Sequence, residues 1–498
     1  MDFIPETLDS ALRYYAQVSP TRVALKDARN IAMPRDYSWK ETNEKVEGLA
    51  QSFYILPDKA IGVLLDNSWQ CLCLIYGVIR SGKNLVLIDP EWGETSKRAI
   101  IEQMELKTLV AEGPIPAPFN KFQLNLYPKV PQDELPETLA KQSQLIIFTS
   151  GTTGKPKGIV LSQQAMVNGY TIGQRCLGIN EHTRAGCFYR ISGLGILGIN
   201  FFFPLLFGGS VVLLPLHCWA DEDSLWNYVD RFAISFLYIV PPIVNFIVKE
   251  GLPPAQRYPL SRLLCVGGSA RLDSDIQAEF QLKYAPLANI YGLSECGFAF
   301  LFGRRHDEES FDNSVGPAVG LSLKLVDDEG KLINEAGKRG RLWVKTPSLF
   351  SGYHDQPELT SNLVQDGWLN TQDIAWFDQA GGFYILGRAD STINKGGNLF
   401  HLNECEQLLN SREDVADSCC LKVDCELYGE DYIAIVHTDK VEENQLRIWL
   451  EHHLGSLRSP QKIICLNNKL PLNGAGKHDR VAIAALVKQE ESYVRHTR

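Results

Sequence analysis

The amino-acid sequence predicts an α/β protein with a large N-terminal domain, built from mixed or parallel sheets covered by helices, and a small α+β C-terminal domain. Three observations lead to this prediction. Apolar strand-like runs alternate with helix-like segments as far as about Tyr291, short runs with tight turns begin near Val315, and α/β alternation returns after Asp390. The predicted domains are therefore 1–389, with a β-rich subdomain at about 315–389, and 390–498.

The N-terminal part of the chain alternates between helical and strand periodicity. Helices are predicted at 7–18, from an N-cap at Ser38 to about Phe53, and at 69–80, with strands at 22–26, 60–66 and 84–88. The alternation continues with helices at 223–232, from Pro241 onward and at 273–283, and with strands at 234–240, 262–266 and 289–291. This pattern indicates a sheet that binds ligands outside the carboxyl ends of its strands.

The remaining segments predict the β-rich subdomain and the C-terminal domain. Strand-like runs occur at 321–326, 341–345 and 382–386, and a turn occupies 327–330. After the predicted boundary, helices are expected at 402–410 and 443–454 and strands at 416–423 and 432–436. Another helix-like segment, 481–488, follows Lys477.

One uncharged stretch, 193–216, is long enough to be tested as a membrane span. Pro204 and the Gly208-Gly209 pair divide it into a helix-like half and a strand-like half. We therefore expect a buried helix followed by a core strand, and no membrane span.

Composition limits the classes of function. The net charge of −10, without clustered Lys and Arg, argues against a nucleic-acid partner. The N-terminus has neither a positive n-region nor an apolar h-region, which predicts a cytoplasmic protein. The twelve cysteines lack zinc-binding spacing, and we expect them to be reduced and mostly buried.

A loop rich in glycine and hydroxyl groups lies between two apolar runs, 145–148 and 159–161. Its sequence is Thr149-Ser150-Gly151-Thr152-Thr153-Gly154-Lys155-Pro156-Lys157. Glycines let several backbone N–H groups point at one anion, hydroxyls donate further hydrogen bonds, and lysines supply counter-charge. The glycine spacing and Pro156 do not fit the G-x-x-x-x-G-K-[ST] pattern. The sequence therefore predicts a different kind of phosphate loop; the alternative is an ordinary turn between two strands.

Five motifs in order resemble the adenylate-forming superfamily, which includes acyl- and aryl-CoA synthetases, luciferases and adenylation domains. Besides the loop, they are Tyr291-Gly292-Leu293-Ser294-Glu295, Trp368-Leu369-Asn370-Thr371-Gln372-Asp373, Gly387-Arg388-Ala389-Asp390 and Pro471-Leu472-Asn473-Gly474-Ala475-Gly476-Lys477. The resemblance covers nearly the whole chain. It implies ATP and Mg²⁺ as cofactors, and a mobile C-terminal domain that pivots at a hinge, Asp390.

The resemblance also implies roles for individual residues. Lys477, Glu295 and Thr152 would be catalytic, with Glu295 binding the magnesium ion. Asp373 would accept hydrogen bonds from the ribose hydroxyls, with Arg388 nearby; for both, a structural ion pair is the alternative. The nucleotide would be bound by the following residues: Thr149, Ser150, Gly151, Thr152, Thr153, Gly154, Lys157, Gly268, Ser269, Ala270, Tyr291, Ser294, Asp373 and Arg388.

The segment Phe188-Tyr189-Arg190-Ile191-Ser192-Gly193-Leu194 resembles the family segment that lines the acid pocket. With Gly292, its residues Arg190, Ile191 and Gly193 are predicted to form that pocket. Relatives that activate amino acids carry an acidic residue where this chain has Ile191, so an α-amino acid is disfavoured. Arg190 pairs either with a second anionic group of the substrate or with a carboxylate at the pocket rim.

The expected activity is adenylation of an acyl or aryl carboxylic acid, followed by thioester formation with coenzyme A. One alternative acceptor is the phosphopantetheine arm of an acyl or peptidyl carrier protein. Two further alternatives are a non-catalytic nucleotide-binding protein of the same fold and a luciferase-like oxygenase. Gln372, where the family has glycine, and Asn394, where it often has lysine, depart from the motifs.

Overall fold

The structure of the chain is a computed structural model. The structure describes residues 3–90, 92, 94–115, 119, 134–149, 157–191, 193–216, 218–219, 224–251, 262–268, 272–305, 311–327, 329–388, 392–395, 398–425, 429–455, 458–472 and 478–487. The chain divides into two compact units. Unit 1 comprises 1–324, 343–371 and 377–384, and unit 2 comprises 325–342, 372–376 and 385–498. The predicted boundary residue, Asp390, lies outside the described residues, so that boundary stays a prediction.

Most helices of the described chain follow the predicted pattern, but those at 94–103, 163–177 and 357–363 were not predicted. The helices are α1 (Leu8–Val18), α2 (Trp39–Tyr54), α3 (Trp69–Arg80), α4 (Glu94–Gln103), α5 (Gln163–Leu177), α6 (Leu194–Leu197), α7 (Phe203–Leu206), α8 (Ser224–Phe232), α9 (Pro241–Glu250), α10 (Ser274–Lys283), α11 (Pro357–Leu363), α12 (Leu402–Asn410) and α13 (Glu443–Leu454). A π-helical turn, Gly198–Phe202, joins α6 to α7. Residues 480–487 are also helical.

The strands are β1 (Val23–Asp27), β2 (Arg35–Ser38), β3 (Ala60–Leu64), β4 (Asn84–Ile88), β5 (Leu109–Val110), β6 (Gln144–Thr149), β7 (Lys157–Ser162), β8 (Arg184–Cys187), β9 (Ser210–Leu213), β10 (Phe236–Tyr238), β11 (Leu264–Gly267), β12 (Leu287–Leu293), β13 (Phe298–Phe302), β14 (Ser322–Val326), β15 (Leu332–Ile333), β16 (Gly340–Lys345), β17 (Gly352–Tyr353), β18 (Val364–Gln365), β19 (Trp368–Phe377), β20 (Phe383–Arg388), β21 (Thr392–Lys395), β22 (Asn398–His401), β23 (Asp417–Cys425), β24 (Gly429–His437) and β25 (Lys462–Leu466). The predicted α/β class is confirmed.

Two largely parallel sheets organise unit 1. The first has the strand order β13-β12-β11-β10-β8-β9-β1-β2, and its inner strands from β12 to β1 run parallel. The second has the order β17-β7-β6-β4-β3-β5, with β6, β4, β3 and β5 parallel and β7 and β17 antiparallel. Parallel strands place their carboxyl ends at one edge of a sheet, so each sheet has one edge at which loops can form a site.

Side-chain caps fix where several helices begin. The Thr7 hydroxyl accepts from Ser10 N at the start of α1, and the Ser38 hydroxyl accepts from Glu41 N at the start of α2. Both ends form reciprocal capping boxes, which satisfy backbone donors that the helix leaves unpaired. The predicted N-cap at Ser38 is therefore confirmed.

A buried ionic cluster joins the first helices. The Arg80 side chain is fully buried, and it donates to Asp9 Oδ1 at 2.7 Å and to Glu47 Oε2 at 3.0 Å. Arg13 contacts the same Asp9 carboxylate at 2.8 Å. Buried charges persist in this way only when they are paired and hydrogen-bonded.

The uncharged stretch 193–216 is confirmed as a buried helical segment followed by strand β9. Among the described residues, no helix combines the length and the apolar character that crossing a membrane requires. All twelve cysteines have free thiols, and nine of them are buried.

Unit 2 is built around a mixed sheet with the order β22-β21-β24-β23, and β25 runs parallel to β24. Helices α12 and α13 cover one face, where Leu402, Leu446 and Ile463 belong to one buried cluster. On the other face, Cys419 and Ile435 pack with Leu470 and with Ile483 and Val487 of the helix at 480–487. The same unit includes the hairpin formed by Leu325 and Val326 with Ile333 and Leu332.

Candidate active site

The carboxyl edges of the two sheets of unit 1 meet at the segment Tyr189–Ile191, which follows β8. Asn67, beyond the end of β3, binds this segment on both sides of Arg190: its Nδ2 donates to Tyr189 O, and its Oδ1 accepts from Ile191 N at 2.6 Å. The Tyr189 hydroxyl in turn accepts from Val240 N, beyond β10, at 3.0 Å. Burial raises the pKa of this phenol well above its usual value, so it stays neutral. Residues beyond the ends of β3 and β10 therefore hold the short segment that follows β8.

Arg190 is held by a carboxylate of the neighbouring sheet. Its Nη1 and Nη2 atoms donate to Asp89 Oδ1 at 2.7 Å and to Oδ2 at 3.2 Å. Asp89 follows β4 and its side chain is only 1% exposed, whereas that of Arg190 is 31% exposed. The two-point geometry satisfies both carboxylate oxygens of a buried anion. Of the two partners considered for Arg190, the chain itself thus supplies the carboxylate.

Ile191 and Gly193 differ in what surrounds them. The Ile191 side chain is buried, and no acidic side chain occupies its position. Gly193 immediately precedes α6, and a Cβ atom added there would meet no heavy atom of the described residues within 4 Å. Space for a larger group is therefore available on the side of the segment that Gly193 faces.

The predicted phosphate loop connects two paired strands. β6 and β7 run antiparallel, with Thr149 opposite Lys157 and Phe148 opposite Gly158. The loop thus begins where β6 ends, at the carboxyl edge of the second sheet. Of its predicted ligands, Lys157 is described and half-buried. Ser150, Gly151, Thr152, Thr153 and Gly154 lie outside the described residues, as does the side chain of Thr149.

Glu295 lies beside this hairpin. Its Oε1 atom accepts a hydrogen bond of 2.6 Å from the Tyr353 hydroxyl, and its backbone carbonyl accepts from Phe350 N at 2.8 Å. Tyr353 belongs to β17, which pairs with β7 through Ile159. Glu295 belongs to a short 3₁₀-helical turn, Ser294–Cys296. Gly297, which ends this turn, lies against Leu161 of β7. The end of the first sheet is therefore joined to the strand that follows the phosphate loop.

The other residues that were predicted to bind the nucleotide or to line the acid pocket lie at the ends of β11 and β12. Gly268 is buried, and a Cβ atom there would lie 2.8 Å from Ile290 Cγ1. At Gly292 an added Cβ atom would lie 2.5 Å from Ala299 Cα, so only glycine fits between β12 and β13. Tyr291 is half-buried and packs edge-on against Phe300. Ser269 and Ala270 lie outside the described residues.

In unit 2, Asp373 and Arg388 are neighbours. The Asp373 residue is 5% exposed, and Arg388 Nε lies 3.9 Å from its Oδ1 atom. Arg388 Nη2 makes a shorter bond, 2.7 Å, to the Gln372 side-chain oxygen. Gln372 has a φ of 61°, a left-handed backbone conformation that explains why glycine suits this motif position. Asp390 and Lys477 lie outside the described residues.

The sequence did not single out Asn67, Asp89 or Tyr353 as functional residues. Asn67 and Asp89 follow strands of a parallel sheet, so the rule that places ligands at strand carboxyl ends could have indicated them. For Tyr353 no comparable signal exists, because its role depends on the pairing of β17 with a strand nearly 200 residues earlier.

This geometry can be compared with known proteins. The chain is 27% identical over 491 residues to a 2-succinylbenzoate–CoA ligase of Bacillus pumilus, covering 94% of this chain and 96% of the relative. It is also 27% identical over 437 residues to a sulfoacetate–CoA ligase of Cupriavidus necator, covering 84% and 82%. An o-succinylbenzoate CoA synthetase structure from Bacillus subtilis, with its acyl-adenylate intermediate, matches with a TM-score of 0.81, 20% identity and coverage of 94% and 96%.

A family model described as AMP-binding enzyme matches residues 12–354, which include both sheets of unit 1, the β6–β7 hairpin and Glu295. The resemblance to the adenylate-forming superfamily is therefore confirmed. The chain belongs to the AMP-binding enzyme family.

Proposed function

We propose that the protein is an ATP-dependent acid–CoA ligase, which adenylates an acyl or aryl carboxylic acid and transfers the acyl group to coenzyme A. The observation that supports this best is that Glu295, the β6–β7 hairpin and the segment Tyr189–Ile191 each follow the carboxyl end of a strand in unit 1. The two sequence relatives named above are CoA ligases.

The chemistry requires two steps. A carboxylate oxygen attacks the α-phosphorus of ATP, a P–O bond forms to give the acyl-adenylate, and pyrophosphate leaves. The thiol of coenzyme A then attacks the acyl carbon, a C–S bond forms, AMP leaves, and the thiol proton passes to solvent. Positioning and charge neutralisation are the main contributions a protein can make to such transfers. Thr152 and Lys157 would hold the departing phosphates, and Lys477 would neutralise charge that develops near the α-phosphate.

Glu295 fits the proposed magnesium site. Tyr353 holds Oε1, and Oε2 accepts no hydrogen bond from any described residue. A carboxylate oxygen that is oriented and available is the donor that Mg²⁺ takes from proteins, with phosphate oxygens completing its shell. When bound, the ion would lower the negative charge of the phosphates. Tyr353 would keep the carboxylate in one rotamer.

Asp373 fits the proposed ribose contact because its carboxylate can only accept hydrogen bonds at neutral pH. It is nearly buried, so it would not be shielded by bulk water. Arg388 Nη2 donates to the Gln372 side-chain oxygen at 2.7 Å, and the 3.9 Å approach of Arg388 Nε to Asp373 is a weak ion pair.

The segment Tyr189–Ile191, which is predicted to line the acid pocket, affects which acids the pocket would accept. Ile191 offers no charge to an α-ammonium group, which supports an acid that is not an α-amino acid. The named relatives act on acids with a second negative group, 2-succinylbenzoate and sulfoacetate. The pairing of Arg190 with Asp89 already neutralises the cation that would receive such a group. The Arg190–Asp89 pair therefore favours an acid whose remaining part carries no charge.

The first experiment measures acid-dependent exchange of pyrophosphate into ATP with acetate, hexanoate, benzoate, 2-succinylbenzoate, sulfoacetate and phenylalanine. We expect exchange with at least one of the neutral-tail acids, and the matching acyl-CoA by mass spectrometry when coenzyme A is added. Acyl transfer to a phosphopantetheinylated carrier protein, without any acyl-CoA, would instead identify a carrier-protein ligase. ATP binding without exchange for any acid would identify a non-catalytic nucleotide-binding protein.

A second experiment tests the phosphate loop separately. Lys157→Ala or Thr152→Ala should lower pyrophosphate exchange, because the loop would hold groups that leave in the first step only. Transfer from a supplied acyl-adenylate to coenzyme A should stay within about twofold of the unchanged enzyme, since that step contains no pyrophosphate. A parallel loss of both steps would contradict the assignment of these residues.

A further inference from the structure

The segment that carries Lys477 is closed at its base by described residues of unit 2. Leu472 and His478, on either side of 473–477, form an antiparallel β-bridge. Next to it, Asp479 N donates to Pro471 O at 2.9 Å. The segment therefore starts and ends at residues that are held side by side.

A charged contact attaches this base to the sheet of unit 2. The His478 ring atom Nε2 lies 2.9 Å from Asp417 Oδ2 on β23, and the two side chains are 22% and 34% exposed. The hydrogen bond to Asp417, followed by one to Cys419, raises the pKa of His478 to about 10 against the opposing effect of burial. The imidazole is therefore a cation at neutral pH and pairs with a carboxylate.

A second contact holds the chain just beyond His478. Arg480 Nη2 donates to Glu406 Oε1 of α12 at 3.0 Å, and Arg480 Nη1 donates to Cys420 O. The same Glu406 oxygen accepts from Cys420 N at 2.7 Å. Because Arg480 opens the helical stretch 480–487, whose Ile483 is fully buried, this helix is fixed to both β23 and α12.

Lys477 is thus only one peptide bond away from His478, whose side chain is held by these contacts. Lys477 is bonded directly to His478, whereas the residues on its other side, Gly474, Ala475 and Gly476, have little or no side chain with which to pack. The nearest described residue after Lys477 along the chain is therefore His478, whose side chain is held by the sheet.

We propose that His478, through its ion pair with Asp417, is a positioning residue for Lys477 in the adenylation step. This inference rests on the proposed function, in which Lys477 acts in that step and not in thiol transfer. A purely structural ion pair would stabilise unit 2 without affecting one half-reaction more than the other. The two roles therefore differ in a measurable way.

The test compares the half-reactions in the full-length enzyme, with the panel acid that gives the fastest exchange. We expect Asp417→Asn and His478→Gln each to lower the maximal rate of pyrophosphate exchange about tenfold, the rate equivalent of one charged hydrogen bond. The KM for ATP and transfer from the supplied acyl-adenylate should stay within about twofold. The double variant should be no worse than either single variant, because both remove the same contact. His478→Arg, which retains a cation, should recover part of the rate.

Two comparisons identify the cause of any failure. Arg447→Gln removes a more exposed ion pair with Glu443 on α13 and should leave both half-reactions unchanged. Lys477→Ala is the benchmark for the proposed function. If Lys477→Ala abolishes exchange while the His478 and Asp417 variants keep full exchange, or lose both half-reactions equally, the positioning role is wrong and the proposed function stands. If Lys477→Ala retains full exchange, both are wrong.

Discussion

Gln372 Oε1 accepts a hydrogen bond of 2.7 Å from Arg388 Nη2 while the Gln372 backbone is held at a φ of 61°. The position thus combines a favourable side-chain contact with a conformation that costs a non-glycine residue about 1 kcal/mol. Because Gln372 is exposed, its hydrogen bond competes with water and contributes little. The backbone cost should therefore dominate the effect of substitution.

We expect Gln372→Gly to be more stable than Gln372→Ala by about 1 kcal/mol, since both lose the hydrogen bond and only alanine keeps the strained backbone. Urea denaturation of the two variants measures this difference directly. Equal stabilities, or a more stable alanine variant, would show that the left-handed conformation is not strained here.

Replacing Arg80 should be far more damaging than replacing an exposed arginine. Arg80→Met would remove the fully buried cation and leave the Asp9 and Glu47 carboxylates buried with Arg13 as their remaining shared partner, which should cost about 3 kcal/mol. The matched control, Arg29→Met, breaks an ion pair with Asp27 at the surface and should cost less than about 1 kcal/mol. Similar unfolding midpoints for the two variants would contradict the role of the cluster.

The His478–Asp417 pair should also make stability depend on pH. The folded-state pKa of His478, about 10, lies above its ordinary value of 6.5, so its contribution is complete below pH 6.5. The contribution should disappear as the pH rises through 10, because the neutral imidazole no longer pairs with Asp417. We expect His478→Gln to be less stable than the unchanged protein by about 1–3 kcal/mol at pH 6. A gap of the same size at pH 10.5 would refute this assignment.

Tyr353→Phe should weaken the response to magnesium. Without the phenolic donor, the Glu295 carboxylate can adopt other rotamers, and we expect the Mg²⁺ concentration for half-maximal pyrophosphate exchange to rise about threefold to tenfold. Tyr384→Phe, which removes a longer hydroxyl contact with Asp378 in the same unit, is the control and should leave the titration unchanged. Exchange in both variants should vanish when the metal is removed with EDTA.

Asn67→Ala should weaken binding of the acid and leave binding of ATP nearly unchanged. It removes the two hydrogen bonds that Asn67 makes to Tyr189 and Ile191, so we expect the KM for the acid to rise about tenfold while the KM for ATP stays within about twofold. Asn30→Ala, which removes a side-chain contact in an exposed turn, serves as the control. An equal rise in both KM values would show that the segment does not act on the acid selectively.

Much of the fold could be predicted because local signals determine it. The predicted bounds of α3, β4, α12 and α13 agree with the structure, since caps and apolar periodicity mark these ends. Other bounds depend on pairing between distant residues. β12 extends from Leu287 to Leu293, beyond the predicted 289–291, because β13 folds back on its end, and α6 continues into a π-helical turn that periodicity alone does not indicate.

The candidate site was predictable to the extent that motifs mark it. Glu295, Gly268, Asp373 and Arg388 could be proposed as site residues because each stands in a recognisable pattern, and their roles stay predictions. The residues that orient them come from elsewhere in the chain: Tyr353 reaches Glu295 over 58 positions, and Asp89 reaches Arg190 over 101. Such partners are set by the packing of two sheets, which a single sequence does not encode in any local pattern.

The pairing of Arg190 with Asp89 constrains how this pocket can diverge. Changing Arg190 alone to a neutral residue would leave the Asp89 carboxylate nearly buried and without that cation, at a cost of several kcal/mol. Changing Asp89 alone would remove the carboxylate that pairs with Arg190. The effects of substitutions at the two positions should therefore depend on each other. If the segment lines the acid pocket as proposed, a new acid specificity should arise through replacement of both residues. Asp89 should be replaced first when the new acid carries a second negative charge.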